Sequence, residues 1–353
     1  MIQRIQAILK EKETDAIITS DGYNMRYVSG FAGATGYMYI SRKRAVIITD
    51  SRYTIAAKEE APDFDVLEIS VKRGYKTILS ELVKEDKVKK IGFENKSASY
   101  SEYKMFFELG KIKLTELDDE LSNLRRIKRE DEIERIAKAE HIGDVAFSKI
   151  LKYIKPGLTE LQVAAMLEFY MKEEGAEGLS FDTIVASGIN SSKPHAVPGR
   201  KVIEEGDLVT MDFGCIYEGY CSDMTRTVVM GKANDKQREI YDTVLQAQLL
   251  ALKEIREGVA CADVDKVARD YISSKGYGEC FGHGLGHSVG LYIHESPSLS
   301  TASKDTLAVG MLETVEPGIY VEGFGGVRIE DLVVVTPDGY RNLTASPKEL
   351  IEL

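Results

Sequence analysis

Two stretches decide the fold of the C-terminal half: Asp207-Leu208-Val209-Thr210-Met211-Asp212-Phe213-Gly214 and, shortly after it, Ser222-Asp223-Met224-Thr225-Arg226-Thr227-Val228-Val229. Strand side chains alternate with period two, so Leu208, Thr210 and Asp212 share one face, and Val209, Met211 and Phe213 share the other. The turn between the stretches includes Gly219. A hairpin centred near Tyr217-Glu218 places Asp212 opposite Asp223, at the roughly 4.5–5.5 Å Cβ separation of directly paired residues. Two carboxylates this close on apolar strands repel each other and need a cation. An isolated Asp often caps a turn or sits in solvent, but the apolar neighbours on both strands disfavour that reading here.

Downstream, Phe281-Gly282-His283-Gly284-Leu285-Gly286-His287-Ser288-Val289-Gly290-Leu291-Tyr292-Ile293-His294-Glu295 holds three of the five histidines in the chain. His283 and His287 have the spacing of neighbours on a helix, yet Gly284, Gly286 and Gly290 oppose a helix and the His-Glu-x-x-His motif is absent. Loop and strand with close backbone approach is the better reading, and so many histidines among glycines point to function. Glu316 ends the apolar run 312–315 ahead of Pro317-Gly318. In Gly326-Val327-Arg328-Ile329-Glu330-Asp331, alternation turns Arg328 and Glu330 away from Val327 and Ile329. Singly, Glu316 and Glu330 read as an exposed strand face with weak ion pairs. With Asp212, Asp223 and His287 they make a hard, oxygen-rich set, too anionic to lie buried without cations. A binuclear metal enzyme is the expectation. His195, in the proline-bounded loop Lys193-Pro194-His195-Ala196-Val197-Pro198, is a further functional candidate, whereas His141 on an amphipathic helix reads as structural.

The 353 residues, 43% of them hydrophobic, suffice for more than one core and favour two domains. The formal charge of −11 argues against a nucleic-acid surface. The basic run Leu124-Arg125-Arg126-Ile127-Lys128-Arg129 is followed at once by Glu130-Asp131-Glu132 and reads as a solvated helix or linker. The N-terminal ten residues space their apolar side chains like an amphipathic helix and lack the continuous apolar core of a signal peptide. No stretch approaches the roughly 20 apolar residues of a membrane span. A cytoplasmic enzyme with neither nucleic acid nor membrane as partner is expected. Cys215, Cys221, Cys261 and Cys280 form no Cys-x-x-Cys pair and read as free thiols, with Cys215 and Cys221 beside the aspartate hairpin open to oxidation.

Residues 1–122 alternate helical stretches with short β-rich runs, at 16–19, 37–40, 45–49 and 91–94, and predict an α/β domain with a mixed sheet. The Gly30 to Gly36 stretch lacks both the P-loop ending and the G-x-G-x-x-G spacing, so a structural turn is favoured over a nucleotide site. Residues 123–353 open with a long amphipathic helix ended by Pro156-Gly157. Thr159 and Gln162 have capping-box spacing for the next helix. Helices then give way to strands, an α+β order with helices over a largely antiparallel sheet.

Five segments, in order, resemble the pita-bread metallopeptidases and are most similar to X-Pro dipeptidases (prolidases) and X-Pro aminopeptidases. They are Asp212-Phe213-Gly214, Tyr220 to Thr227, His283-Gly284-x-Gly286-His287, Val315-Glu316-Pro317-Gly318 and Arg328-Ile329-Glu330-Asp331. Upstream, Asn24-Met25-Arg26-Tyr27-Val28-Ser29-Gly30-Phe31 and Asp50-Ser51-Arg52-Tyr53 look like the N-terminal domain of the same proteins. The resemblance implies an α+β two-domain chain, an N-terminal α/β creatinase-like domain followed by a C-terminal pita-bread domain. Methionine aminopeptidases commonly lack the first domain and creatinases lose the metal set, so both parts together point to the proline-directed branch.

By the same resemblance Asp223 and Glu330 bridge two divalent ions, Asp212 completes one site, and His287 with Glu316 completes the other. A hydroxide held between the ions would attack the bond preceding proline, and Glu316 would carry the proton to the leaving nitrogen. His195 and His294 would orient the substrate, with His283 and Arg328 lining the pocket. The ligand set favours Mn2+ while leaving Co2+, Zn2+ or Fe2+ open. The implied substrate is a proline-containing di- or oligopeptide and the implied assembly a homodimer. Several prolidases carry an arginine after the His-Glu motif to hold a dipeptide's carboxylate. Here the position is Ser298, which leaves dipeptidase and aminopeptidase specificity both open. The alternatives are an aminopeptidase without proline preference and, from another class, a non-catalytic pita-bread binding protein.

Overall fold

Ala16–Thr19 (β1) is apolar on both faces because it runs through the interior of a mixed sheet with helices packed on either side. The sheet contains β1, β2 (Tyr37–Ser41), β3 (Ala45–Thr49), β4 (Asp65–Glu68), β5 (Lys90–Phe93) and β6 (Lys113–Glu116) in the order β4-β3-β2-β1-β5-β6. Ile17 faces the core shared with Ile5, Leu9, Met25 and Phe31, whereas Ile18 faces the core shared with Ile78, Leu82 and Phe106. The helices are α1 (Ile2–Glu11), α2 (Gly22–Ser29), α3 (Thr54–Glu60), α4 (Tyr75–Asp86) and α5 (Tyr100–Phe107). These elements fall in the first of two compact units, Met1–Arg125 and Arg126–Leu353, of a computed structural model that describes residues 1–353. The stretch 30–36 is an irregular connection between α2 and β2, as the structural-turn reading expects.

A buried polar knot closes the end of this unit. Glu94 accepts hydrogen bonds from Thr19 and Asn24, and the Asn24 side-chain oxygen accepts from Arg125. Burial pushes the Glu94 carboxyl up to about 7, against the opposing pull of its hydrogen bonds and of Arg125. A raised folded-state pKa means stability that is present below the unfolded value near 4.5 and lost as pH rises through 7. The loss amounts to about 3 kcal/mol for a shift of this size. Glu94→Gln should therefore melt progressively higher than the parent as pH goes from 5 to 8. Paired melting curves at the two ends of that range check it, and a constant offset refutes it.

The second unit opens with α6 (Glu130–Ile150) and α7 (Glu160–Glu173), the latter capped by the reciprocal Thr159–Gln162 bonds that the sequence spacing predicts. Short strands follow: β7 (Gly178–Leu179), β8 (Ile184–Ser187), β9 (Leu208–Phe213), β10 (Cys215–Tyr217), β11 (Tyr220–Cys221) and β12 (Met224–Val229). Then come α8 (Asp235–Glu254), α9 (Cys261–Ser274), β13 (Gly286–Ser288), β14 (Glu295–Leu299) and β15 (Leu312–Val315). The last strands are β16 (Gly318–Val321), β17 (Gly325–Arg328), β18 (Asp331–Thr336), β19 (Gly339–Asn342) and β20 (Ile351–Glu352). Val209, Met211 and Phe213 pack against α6 and α7, while Val315, Val327, Ile329 and Val333 pack against α8 and α9. Both sets of strands thus bury their apolar faces on helices and leave the opposite faces for polar residues.

Two expectations need correction. The basic run 124–129 is not simply solvated: Arg125 is 7% and Lys128 5% exposed, because each finds acceptors that local sequence cannot reveal. Cys215 and Cys221 are buried, and burial pushes the Cys215 thiol up to about 12, which opposes thiolate formation and oxidation.

Candidate metal centre and active site

The β9–β12 ladder pairs Asp212 with Thr225, so Asp212 and Asp223 are diagonal neighbours rather than directly opposed. The cause lies in the turn. It sits at Glu218-Gly219, both with positive φ (47° and 82°), between Tyr217 and its partner Tyr220, further along the chain than the centre expected from sequence. The slip covers two residues on one strand, and a shift by a whole period keeps every side chain on its face. Asp212, Asp223 and Glu330 accordingly bring one carboxylate oxygen each to within 4.8 Å of one another. His287, on β13, places Nε2 3.5 Å from Asp223 Oδ2 and 3.6 Å from Glu316 Oε1. The five candidate ligands line one cavity of about 560 Å³, together with His195, His283, His294, Ser298, Tyr320 and Arg328.

The polar partners orient these groups. Thr225 Oγ1 donates to Glu330 at 2.6 Å and accepts from Arg328 Nε at 3.0 Å. Arg328 also pairs with Asp212 at 2.6 Å and donates to the Tyr320 hydroxyl at 2.8 Å. Tyr320 in turn lies 3.0 Å from His283 Nε2. His283 Nδ1 faces the Gly284 carbonyl at 2.8 Å, which can only accept, so Nδ1 carries the proton and Nε2 accepts from the tyrosine. The same logic applies to His287, whose Nδ1 faces the Ser288 carbonyl at 3.2 Å and leaves the Nε2 lone pair aimed at Asp223 and Glu316. Burial pushes both imidazoles down to about 4, so both are neutral. Thr314 supports the group from behind: its hydroxyl accepts the His287 N–H at 3.0 Å and donates to Glu316 at 3.2 Å.

Further back, fully buried Arg226 donates to the carbonyls of Thr225 (2.9 Å), Ser346 (2.7 Å), Pro347 (2.9 Å) and Glu330, and to the Asp331 carboxylate (2.8 Å). It ties the strand leaving Asp223 to the segment carrying Glu330. The Asp223 N–H donates to buried Glu140 at 3.2 Å.

This constellation fits divalent cations. Burial and mutual repulsion hold the Asp223 and Glu330 carboxyls well above their ordinary range, and burial lifts Glu316 to about 8. Asp212 Oδ1 is buried without a hydrogen-bond partner. Four carboxylates and a neutral imidazole facing a single guanidinium make a hard, oxygen-rich donor set with negative charge to spare. Of the remaining sequence candidates, His294 stacks edge-on to His287 with ring centroids 4.6 Å apart, and His195 stands exposed on the cavity rim. Thr225, Thr314, Phe181, Ile184 and Tyr320 were not anticipated. Thr225 and Thr314 stand two residues from Asp223 and Glu316 on the same strand faces, a usable signal, whereas the others carry no local mark.

Comparison with known proteins agrees with a carboxylate site for divalent metal. Residues 134–337 match metallopeptidase family M24 and residues 1–127 match the creatinase/prolidase N-terminal domain, so the chain belongs to the M24 metallopeptidases. The two-domain α+β organisation with a C-terminal pita-bread domain follows. The structure superposes on an Xaa-Pro dipeptidase from Bacillus anthracis with a TM-score of 0.96 at 44% identity, covering 100% of this chain and 99% of that one. An X-Pro aminopeptidase from Thermotoga maritima gives a TM-score of 0.90 at 41% identity, covering 97% of this chain and 98% of the other. An Xaa-Pro dipeptidase from Pyrococcus horikoshii is 39% identical over 99% of this chain and 98% of its own length. No helix is long and apolar enough to cross a membrane.

Proposed function

We propose that the chain hydrolyses the peptide bond preceding proline in X-Pro dipeptides and at the N-terminus of longer peptides, using two divalent ions held by Asp212, Asp223, His287, Glu316 and Glu330. The observation that carries this reading is the convergence of three carboxylates within 4.8 Å, with His287 Nε2 and Glu316 alongside, in a chain similar over nearly its full length to X-Pro peptidases. Ions bound there would polarise the scissile carbonyl and neutralise the negative charge that develops on it.

The prolyl nitrogen is a tertiary amide without N–H, so its departure requires delivery of a proton. Glu316, which lines the cavity 3.6 Å from His287 Nε2, is the carboxylate placed to take a proton from the attacking water and pass it to that nitrogen. His294 and His195, on the open side of the cavity, orient the substrate, while His283, Tyr320 and Arg328 keep Asp212 in place through their hydrogen-bond chain. Mn2+ suits the oxygen-rich set best. The four free cysteines, three of them buried, suit the reducing cytoplasm, and a homodimer is the assembly the family likeness suggests.

Ser298 lines the cavity and pairs with His287 across the β13–β14 ladder, so it leaves that wall uncharged. Ser298→Arg should raise kcat/KM for Ala-Pro relative to Ala-Pro-Ala by about tenfold or more, the range of one charge-assisted hydrogen bond. Unchanged selectivity would show that a dipeptide's carboxylate does not reach this position.

The reading is tested by product analysis after incubating Mn2+-loaded protein separately with Ala-Pro, Ala-Pro-Ala and Ala-Ala. Cleavage of either proline peptide ahead of Ala-Ala is expected. Equal cleavage of Ala-Ala favours a general aminopeptidase, and no cleavage of any peptide overturns the assignment.

A further inference from the structure

Lys128 belongs to a basic run with no evident role in the chemistry, yet its ammonium is among the most deeply buried cations of the second unit. The Lys128 and Glu295 side chains are 2% and 3% exposed and lie 3.2 Å apart. The ammonium also donates to Ser288 Oγ at 2.9 Å and approaches the Arg126 carbonyl at 3.5 Å, so its three protons have three acceptors. Ser288 and Glu295 face each other across the β13–β14 ladder, where the register shifts between His287 and Ser288. A shifted ladder holds its neck less firmly than a regular one, and the lysine clasps it at that point.

The clasped residues are the immediate chain neighbours of the site imidazoles: Ser288 follows His287, and Glu295 follows His294. The Glu295 carboxylate extends the hold into the loop between them. It accepts the Tyr292 N–H at 3.3 Å and packs so tightly on Gly290 that a Cβ there would lie 2.5 Å from Oε2. The clasp is itself anchored, since the Lys128 N–H donates to the Gly310 carbonyl at 2.9 Å, just before β15, which leads to Glu316.

We propose that Lys128 is a positioning residue of the active site: by clasping Ser288 to Glu295 it fixes the separation of the His287 and His294 imidazoles. The inference rests on the functional reading above for the role of His287 as a ligand, and it predicts a loss of metal affinity independent of any substrate. Lys128→Met alone strands a buried carboxylate, so the informative variant is Lys128→Met/Glu295→Gln, which removes both charges and keeps the side-chain volumes. Chelator-stripped protein is titrated calorimetrically with Mn2+ alone, and kcat and KM are measured on Ala-Pro. The double variant should fold, bind Mn2+ at least tenfold more weakly and lose at least tenfold in kcat. Ser288→Ala, which deletes one arm of the clasp with little risk to folding, should weaken Mn2+ binding about threefold and decides the matter if the double variant does not fold. Ile142→Val in the core of α6 should lower the melting temperature with parental Mn2+ affinity, which separates positioning from general loss of stability. Parental Mn2+ affinity and kcat in the double variant, or parental Mn2+ affinity in Ser288→Ala where that variant decides, overturns the proposal. If the parent cleaves no X-Pro peptide but the affinity gap persists, the substrate reading fails and the Lys128 role stands.

Discussion

Asp223→Asn should reduce hydrolysis of X-Pro peptides by about 1000-fold or more, beyond the 10–100-fold typical of groups that only support a ligand, and at the same time raise the melting temperature of the metal-free protein. The two effects have one origin. Asp223 is 5% exposed, and its carboxyl is raised by burial, then by Glu330, Asp212, Glu316 and Glu140. A carboxyl whose folded-state pKa is raised stabilises the fold below its unfolded value and loses that contribution as pH climbs through the folded value. At pH 8 the stripped parent therefore bears more of the cost of the crowded carboxyls than at pH 5, and the asparagine variant escapes part of it. The gain should be about 2–4 °C for each kcal/mol recovered in a unit of this size, shrinking toward pH 5. Scanning calorimetry in chelator and in excess Mn2+ checks both signs: the variant melts above the parent in the first buffer and below it in the second, where the parent gains by mass action. A variant that melts lower in both would mean that the carboxylates are held by something other than an expected cation.

Glu316→Gln, assayed at saturating Mn2+, should lower kcat on Ala-Pro by about 100- to 10,000-fold, the usual worth of a positioned general acid or base, and should weaken Mn2+ binding because an amide replaces a ligand carboxylate. Gln keeps an oxygen where Glu316 faces His287 and can still accept from Thr314, so the local geometry survives. What it loses is the exchangeable proton, and the defect should fall on kcat rather than KM. Metal analysis alongside steady-state kinetics separates this from incomplete loading. A kcat within tenfold of the parent would move the proton-transfer role to another group, with His294 the nearest candidate across the cavity.

Much of this site was legible from alternation alone. The period-two reading put Asp212, Arg328 and Glu330 on faces opposite Val209, Met211, Phe213, Val327 and Ile329, and the packing agrees. Even the misplaced turn did no harm to the face on which Asp223 lies, because the ladder moved by a whole period. The Gly-His segment was recognisable as non-helical from its glycines, and β13 is indeed a strand. What sequence could not reveal were partners supplied from afar. Lys128 looked solvated because Ser288 and Glu295 lie some 160 positions downstream. Tyr320 had no local mark, since its role comes from meeting Arg328 on the neighbouring strand and His283 in the loop before β13. Arg226 stood inside a recognised motif, but its five acceptors are spread over residues 225–347.

The raised carboxyls of Asp223, Glu316 and Glu330 also make the centre an ion exchanger. With no ion bound, Glu316, lifted to about 8, keeps a proton near neutrality, and burial and repulsion push Asp223 and Glu330 in the same direction, so an entering divalent ion must expel protons. Loading should therefore acidify a weakly buffered solution, and apparent cation affinity should fall steeply in mild acid. For such a centre cation supply and acidity are linked, and a fall in pH should weaken metal loading in the same direction as a shortage of metal.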